Sequence, residues 1–292
     1  MSDSAVESPP KVRMTRTEFR ATAYLAGVSG LRMLGLFIVL PVLALYAASL
    51  PGGGDPAMIG FAIGAYGLAQ AVLQIPFGWA SDRVGRKPAI AFGLVVFAAG
   101  SFVAAWAPDI VWLAAGRTRQ GAGAVSAVVM ALAADLTRDE VRTRAMAMIG
   151  ITIGATFAVS LVAGPVLGST IGVPGIFVLT GLLAIAAIAV VQLGVPDPVA
   201  GARGHEGAGE RVALRRVLAD PQLLRLDFGI FALHAILMAL FVQVPFALRD
   251  AGIAPSRHWM VYLPVLVVSV GVVLPLFRSV DRPGRGKAVL TG

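Results

Sequence analysis

Long apolar runs alternate with short polar connections along the chain. Eight of these runs are long enough to cross a bilayer, because a helix needs about 20 residues to span the hydrocarbon core. They cover residues 21–48, 58–80, 88–107, 110–134, 144–169, 174–195, 222–249 and 259–277. The pattern therefore predicts an all-α polytopic membrane protein with eight spans.

The composition agrees with this interpretation. Of the 292 residues, 57% are hydrophobic and 14% are charged, whereas about a quarter of the residues in a soluble domain are charged. The surplus of apolar side chains must face lipid. The chain has no cysteine, so it contains no disulfide and no thiolate metal site.

Positive charge falls mainly on one side of the predicted spans. The formal net charge is +8, and most of the 24 Lys and Arg residues lie in the two tails and in the connections after spans 2, 4 and 6. By the positive-inside rule, these regions and both termini are expected in the cytoplasm. A nucleic-acid-binding protein would carry its cations on one face of a soluble domain, so no nucleic-acid partner is expected.

A long interior connection at 196–221, rich in Gly, Pro, Ala and charge, separates six spans from two. The expected organisation follows from this division: a cytoplasmic tail at 1–20, a six-span bundle at 21–195, a cytoplasmic linker at 196–221, two further spans at 222–277 and a tail at 278–292. Residues 210–219 of the linker form either a short amphipathic helix on the membrane surface or a plain solvated segment.

A charged hinge follows span 2, from Gly78 to Lys87, with the sequence Gly-Trp-Ala-Ser-Asp-Arg-Val-Gly-Arg-Lys. Gly85 is expected to make a sharp turn there, since glycine adopts backbone angles that other residues avoid. A similar run, Asp281 to Lys287, follows span 8. Because the two copies are six spans apart, they indicate a six-span repeat.

The hinge matches the G-x-x-x-D-R-x-G-R-[RK] signature of the major facilitator superfamily at every fixed position. Span 4 contains Gly116 to Gly123, which resembles that family's R-x-x-Q-G-x-G motif, and span 5 contains Gly164 to Gly168, which resembles its G-P-x-x-G-G antiporter motif with Ser169 in place of the last glycine. Residues 31–43 and 227–234 also resemble the YajR-type bacterial exporters of the superfamily.

The resemblance implies the major facilitator fold, with a complete six-helix N-terminal bundle and two helices of the C-terminal bundle. That family has twelve spans and this chain has eight, so a chain truncated after span 8 is expected. The implied function is proton-coupled export of a small amphipathic or drug-like molecule across the bacterial inner membrane by alternating access. The alternative is a non-transporting membrane fragment, or a partner of a separately encoded remainder that supplies the missing spans in trans.

The resemblance also implies a conformational switch in the hinge. In the family, the aspartate that corresponds to Asp82 contacts span 11, and the neighbouring arginine, here Arg83, pairs with an acid near the end of span 4, for which Asp135 is the expected counterpart. Breaking and remaking such a cluster would bias which side of a transporter is open. Without the resemblance, these charges are interpreted more simply as setting topology. The predicted switch comprises Gly78, Asp82, Arg83, Gly85, Arg86, Lys87 and Asp135.

Polar residues inside the spans are candidates for the substrate pathway or for proton coupling. Arg32 lies near the middle of span 1, where a charge costs at least about 2.5 kcal/mol, so it lines a pathway or pairs structurally. Arg117 resembles the family arginine implicated in proton coupling. Gln70 either forms a hydrogen bond between helices or lines a cavity, and His234 is either a proton carrier or a hydrogen-bonded packing residue.

Proline in span 5 predicts a bend, because Pro165 removes a backbone hydrogen bond. Together with Gly164 and Gly168 it forms a predicted hinge, or a tolerated kink. No Walker sequence and no cluster of His, Asp or Glu with metal or hydrolytic spacing occurs. The protein is therefore not expected to be an enzyme or to bind a cofactor or metal. Its expected partners are a small-molecule substrate, protons and the lipid bilayer.

Overall fold

In a computed structural model, residues 13–197 and 219–280 are described, with side chains up to residue 272. Ten α-helices and one 3₁₀-helix occupy this part of the chain, and it contains no strand. The α-helices are α1 (Arg16–Phe37), α2 (Leu40–Ser49), α3 (Pro56–Val84), α4 (Arg86–Ala105), α5 (Ile110–Ala122), α6 (Ser126–Asp135), α7 (Asp139–Thr170), α8 (Gly172–Gly194), α9 (Pro221–Asp250) and α10 (Trp259–Val280); the 3₁₀-helix covers Pro255–Arg257.

Within the described residues, six helical segments are long and apolar enough to cross a membrane: α1 and α2 taken together, then α3, α4, α7, α8 and α9. The prediction of an all-α polytopic membrane protein is thereby confirmed. The expected fourth span is divided between α5 and α6, and α10 covers the expected eighth span. The amphipathic segment at 210–219, apart from its last residue, and the repeat of the hinge at 281–287 lie outside the described residues.

The first span is broken between α1 and α2. Pro41 explains the break, because proline has no backbone N–H and its ring collides with the carbonyl group four residues earlier. The chain turns at Ile38 and Val39, and α2 then begins with the proline in its first turn. The sequence contained this signal, but the prediction of one uninterrupted span passed over it.

In the fourth span, the break between α5 and α6 lies at residues 123–125. A Cβ at Gly123 would overlap the carbonyl oxygen of Gly93, and a Cβ at Gly121 would overlap the carbonyl oxygen of Tyr66. These two glycines let the backbones of α3 and α4 approach the end of α5, and a side chain at either position would prevent that approach.

Pro165, where a bend is predicted, does not end the helix of span 5: α7 continues as one helix from Asp139 to Thr170 with the proline inside it. The glycines beside Pro165 pack closely against the neighbouring helices. Gly164 lies against the carbonyl oxygen of Ile38, and Gly168 lies against Val42, so α7 packs closely against the α1–α2 break. The helix break in this region lies between α1 and α2 and not in α7.

Three apolar clusters organise the bundle along its length. One joins α2, the start of α3, the end of α4 and the start of α5 and α8. A second, at the opposite end, joins α1, the start of α4, α6 and the end of α8. A smaller cluster of Leu36, Tyr66, Phe97, Ala98 and Ala184 lies between them. The polar residues described below lie beside this central cluster.

The last two helices lie outside the six-span bundle. Helix α9 packs against α2, and α10 packs against α7. A fourth cluster forms this interface, with Leu40, Leu161 and Phe241 at its centre. Phe241 and Pro245 are the buried residues of α9, so most of its apolar surface is available to lipid or to another protein.

Candidate functional site

Arg32 of α1 is buried, with an exposure of 2%, and it is hydrogen-bonded to three side chains. Its guanidinium donates to the Ser126 hydroxyl at 2.6 Å, to the Tyr66 hydroxyl at 2.6 Å and to Gln70 Oε1 at 2.9 Å. The amide of Gln70 donates in turn to Gln74 Oε1 at 3.3 Å. Helices α1, α3 and α6 therefore meet at one buried cation.

A second buried arginine lies next to this group. Arg117 of α5 has an exposure of 1% and donates to Gln120 Oε1 at 2.9 Å, while the Gln120 amide donates to the Ser101 hydroxyl at 2.8 Å. The Arg117 Cζ lies 5.0 Å from the centre of the Tyr66 ring. Tyr66 thus contacts Arg117 with its ring face and Arg32 with its hydroxyl, and it links the two arginines.

Close helix packing fixes the position of Arg117. On α4, a Cβ at Gly100 would overlap the backbone nitrogen of Gln120, and on α5 a Cβ at Gly116 would lie 2.6 Å from the backbone nitrogen of Ala104. The R-x-x-Q-G-x-G pattern therefore has a physical meaning here. Its arginine and glutamine make the polar contacts, and its glycines admit the neighbouring backbones.

The electrostatic character of this group is strongly positive. Within the described residues, the hydrogen-bond partners of the two guanidinium groups are neutral side chains, and no ion pair includes either arginine. The Nε atoms of both arginines are buried without a hydrogen-bond partner in the described structure. Because burying a charge without a counter-charge is costly, this network is poised to attract negative charge.

A cavity of about 40 Å³ lies beside Arg32, between α1, α6 and α7. Its polar lining consists of Ser29, Arg32 and Ser126, and the remaining lining is apolar. A site of this volume can hold one or two water-sized groups. In this conformation the cavity therefore accommodates a small group next to the guanidinium.

The hinge forms a second charged cluster at one end of the bundle. Gly85 has a φ of 98°, as expected for a sharp turn, and it ends α3 and precedes α4. Across this turn Arg86 contacts Asp82 at 2.6 Å, Asp135 at 3.2 Å and the Ser81 hydroxyl at 2.7 Å. The cluster thus joins the end of α3 to the end of α6.

The expected pairing of Arg83 with Asp135 is wrong in this structure, because Arg86 makes that contact. Arg83 is exposed on α3, and none of the described ion pairs includes it. Arg86 opens α4, which packs against α6, so its side chain reaches the acid at the end of α6. The expectation for Arg83 rested on the family resemblance alone, whereas the contact depends on which arginine begins α4.

Further contacts tie the same end of the bundle together. Lys87 donates to the carbonyl oxygen of Val195 at 2.9 Å and lies 3.2 Å from Asp197. Glu18, which precedes the expected span, pairs with Arg138 at 2.8 Å. Hydrogen bonding from Arg138 lowers the Glu18 pKa from 4.5 to about 2. The starts of α1, α4 and α7 and the end of α8 are therefore all held by polar contacts.

The structure does not bring every candidate together. His234 is exposed on α9, and its Nδ1 lies 2.9 Å from the carbonyl oxygen of Ile230 in the same helix. Arg119 is exposed on α5, two residues from buried Arg117 and on a different face. Gln70 does reach Arg32, as described above. The candidate pathway residues therefore separate into a connected group and an isolated histidine.

Four features of the site are not predicted from the sequence: the link through Tyr66, the contact to Ser126, the pair Gln120–Ser101 and the pair Glu18–Arg138. A sequence signal existed for Gln120, which is part of the motif with Arg117. For Tyr66 and Ser126 there was little local signal, because they lie 34 and 94 residues from Arg32. Within the described residues, no group of three or more His, Asp or Glu is placed to hold a metal ion.

These features define a class of protein: a polytopic helical membrane protein with a buried polar site in the middle of its bundle and a charged cluster at one end. The chain belongs to the Major Facilitator Superfamily, because the model of that family matches residues 25–292.

Comparisons with individual proteins agree with this assignment. The chain is 48% identical over 272 residues to the inner membrane transport protein YajR of Escherichia coli K12, covering 92% of this chain and 60% of YajR. It is 28% identical over 242 residues to the class G tetracycline resistance protein of Vibrio anguillarum, covering 80% of this chain and 57% of that protein.

A crystal structure of a bacterial homologue of the human lysosomal transporter Spinster, in an inward-facing unoccupied conformation, has the same fold. Its TM-score to this chain is 0.75 at 18% sequence identity, over 94% of this chain and 64% of the homologue. The chain thus spans about three fifths of the length of YajR and of this structural neighbour.

Proposed function

We propose that this chain is part or all of a secondary active transporter that exports a small amphipathic or drug-like molecule in exchange for protons. The observation that carries the proposal is Arg32, a buried cation in the middle of the bundle, hydrogen-bonded to Tyr66, Gln70 and Ser126 beside a cavity. Buried ionisable groups in membrane segments commonly mark substrate and ion pathways. Arg117 is the proposed proton-coupling partner of this group, and His234 remains a candidate on α9.

The charged cluster around Arg86 is the proposed conformational switch. Its ion pairs connect the ends of α3 and α6 across Gly85, and they are partly exposed, with side-chain exposures of 21% for Arg86 and 22% for Asp135. Such pairs form and break at modest cost. The distribution of positive charge supports a cytoplasmic position for this cluster and for both termini.

Two further observations support the proposal. The names of the relatives describe an inner membrane transport protein and a tetracycline resistance protein, which favours transport in a bacterial inner membrane over an enzymatic activity. The proposed hinge at Pro165 is supported by its position, since Gly164 and Gly168 on either side of it pack against the α1–α2 break.

The test is transport by purified chain in liposomes with an imposed pH gradient, using tetracycline and a panel of amphipathic dyes. Proton-linked flux is expected, and Asp82→Asn is expected to abolish it because Arg86 loses one of its two carboxylate partners. Asp139→Asn is the matched control, since Asp139 pairs with Arg142 within α7, and it should retain flux. Full flux in a correctly inserted Asp82→Asn variant would refute the switch, and no proton-linked flux in any sample would refute active exchange by this chain alone.

A second candidate function is favoured by the unpacked face of α3. At Gly60, Gly64 and Gly67, no heavy atom of the described structure outside the adjoining backbone of α3 lies within 4 Å of where a Cβ would be. Small residues commonly mark contacts between membrane helices. This supports a chain that assembles with separately encoded spans and does not transport alone. Flux that appears only when the chain is reconstituted together with the C-terminal spans of a relative such as YajR would favour this alternative.

A further inference from the structure

We infer that the cavity at Arg32 binds the negatively charged group of an organic monoanion, so that the transported class is amphipathic carboxylates or similar acids. The inference rests on the proposed transport function and adds the charge of the substrate. It starts from the balance of charges and of hydrogen-bond donors around Arg32.

The charge balance favours an anion. Arg32 and Arg117 place two guanidinium groups in a buried region, and arginine stays protonated in proteins. The described acidic residues lie near helix ends or on exposed surface, and the described ion pairs leave both arginines out. In a medium of low dielectric constant an entering anion gains attraction from both cations. A cationic ligand would be repelled by both.

The hydrogen-bond balance points the same way. The hydroxyl oxygens of Ser126 and Tyr66 each accept a hydrogen bond from Arg32, and no hydrogen bond in the described structure uses either hydroxyl as a donor. Their O–H groups therefore remain available to donate. Of these residues, Arg32 and Ser126 line the cavity itself, so the cavity offers a guanidinium and a hydroxyl donor, which suits a carboxylate oxygen.

The shape of the cavity indicates what the rest of the ligand looks like. Apart from its polar side chains, the cavity is lined by Val, Met and Ile side chains, including Met33, Val129 and Ile153. Met130 also lines it and is 38% exposed, so it marks a route to the surface. The volume of about 40 Å³ holds a charged group only. The apolar remainder of a ligand would extend past Met130, which requires an amphipathic molecule.

The experiment measures equilibrium binding of benzoate to the purified chain in neutral detergent by isothermal titration calorimetry, without a pH gradient. Benzamide, which has the same ring and no charge, and chloride are the comparison ligands. Saturable benzoate binding is expected, at least about tenfold tighter than benzamide, because charge-assisted hydrogen bonds are about twice as strong as neutral ones. Equal binding of benzoate and benzamide would overturn the inference, and so would binding of chloride without binding of benzoate.

Variants assign the binding to this cavity. Arg32→Gln and Ser126→Ala should each weaken benzoate binding, by at least about tenfold for the loss of charge and severalfold for the loss of one hydroxyl donor. Arg119→Gln removes an exposed arginine from α5 and should bind as the wild type does. Ser126→Ala keeps the test valid if Arg32→Gln fails to fold, as judged by gel filtration. Unchanged benzoate binding in a folded Ser126→Ala variant would place the anion elsewhere.

The binding experiment can fail or succeed independently of the proposed transport function. Benzoate binding in a chain that shows no proton-linked flux would support the anion site and count against transport by this chain alone. Flux of neutral or cationic compounds without binding of benzoate would support transport and overturn the anion site.

Discussion

Replacing Gly116 by alanine should loosen the contact between α4 and α5 that holds Arg117 in place. The added Cβ would lie 2.6 Å from the Ala104 nitrogen, 2.8 Å from its Cβ and 2.9 Å from its Cα. Comfortable carbon–carbon contacts are about 3.5–4.0 Å, so the two backbones must separate by up to about 1 Å. Because the nearest atoms include backbone, no side chain can rotate away to relieve the overlap.

The expected magnitude follows from two opposing terms. Overpacking of this kind costs about 1–3 kcal/mol, and alanine is favoured over glycine in a helix by about 0.5–1 kcal/mol, so the net loss lies between about 0 and 2.5 kcal/mol. Because the overlapping atoms include backbone, which cannot rotate away, a value of about 1–2 kcal/mol within this range is expected. At about 2–4 °C for each kcal/mol in chains of 150–250 residues, Tm should fall by several degrees.

The assay is thermal unfolding of detergent-purified protein, followed by helical circular dichroism and by intrinsic fluorescence. Gly64→Ala is the matched control, because it also lies inside a helix and a Cβ there meets nothing within 4 Å. Its Tm should stay the same or rise. A Gly116→Ala variant as stable as the wild type would refute the claim that backbone contact sets the α4–α5 distance.

Two further predictions concern the charged end of the bundle. Hydrogen bonding from Arg138 lowers the Glu18 pKa to about 2, so the stability that ionised Glu18 contributes is complete above about pH 4.5 and is lost as the pH falls toward 2. The Tm difference between the wild type and Glu18→Gln should therefore shrink over that pH range. A Tm difference that stays constant would contradict this prediction. Gly85→Ala should lower Tm, since a φ of 98° costs residues other than glycine about 1–3 kcal/mol. Gly78→Ala is the control and should not lower Tm, because Gly78 lies in a helix and has open space where its Cβ would be. Equal Tm values for the two variants would contradict the interpretation of Gly85 as a strained turn.

The helices and the turn at Gly85 were predictable from the sequence because their causes are local. Apolar runs of the right length and a glycine between charged residues carry their own structural information. The proline positions show the limit of such reasoning. Pro41 divides the first span, while Pro165 leaves α7 continuous. Proline thus stands in the first turn of a new helix at one position and inside a continuous helix at the other, so the presence of proline alone does not predict where a helix ends.

The main polar residues of the candidate site were predictable from the sequence, but the side chains that they contact were not. A charge at Arg32 in an apolar run predicted a buried polar site, but its partners come from helices 34 and 94 residues away. The same limit explains why the contact to Asp135 was predicted for Arg83 and is made by Arg86. Arg83 and Arg86 lie in the same hinge, and Arg86 is 49 residues before Asp135. The direction of α4 after Gly85 selects the arginine that reaches this acid.

Helix α3 connects the two polar regions. Tyr66, Gln70, Gln74, Gly78 and Asp82 follow one another at intervals of four residues along it, so they lie on one slowly turning stripe. The stripe begins at the Arg32 network and ends at the Arg86 cluster. Any rigid movement of α3 must therefore displace both regions together.

The length of that stripe decides how the two regions can influence each other. From Tyr66 to Asp82 the helix rises about 24 Å at 1.5 Å per residue, and two unit charges at that separation interact by about 0.7 kcal/mol at an effective dielectric constant of 20. A direct electrostatic effect of Asp82→Asn on binding of an anion at Arg32 is therefore limited to about threefold. If Asp82→Asn changes the benzoate affinity by more than this, α3 must move. A change within threefold would mean that the switch and the binding site are coupled by charge alone.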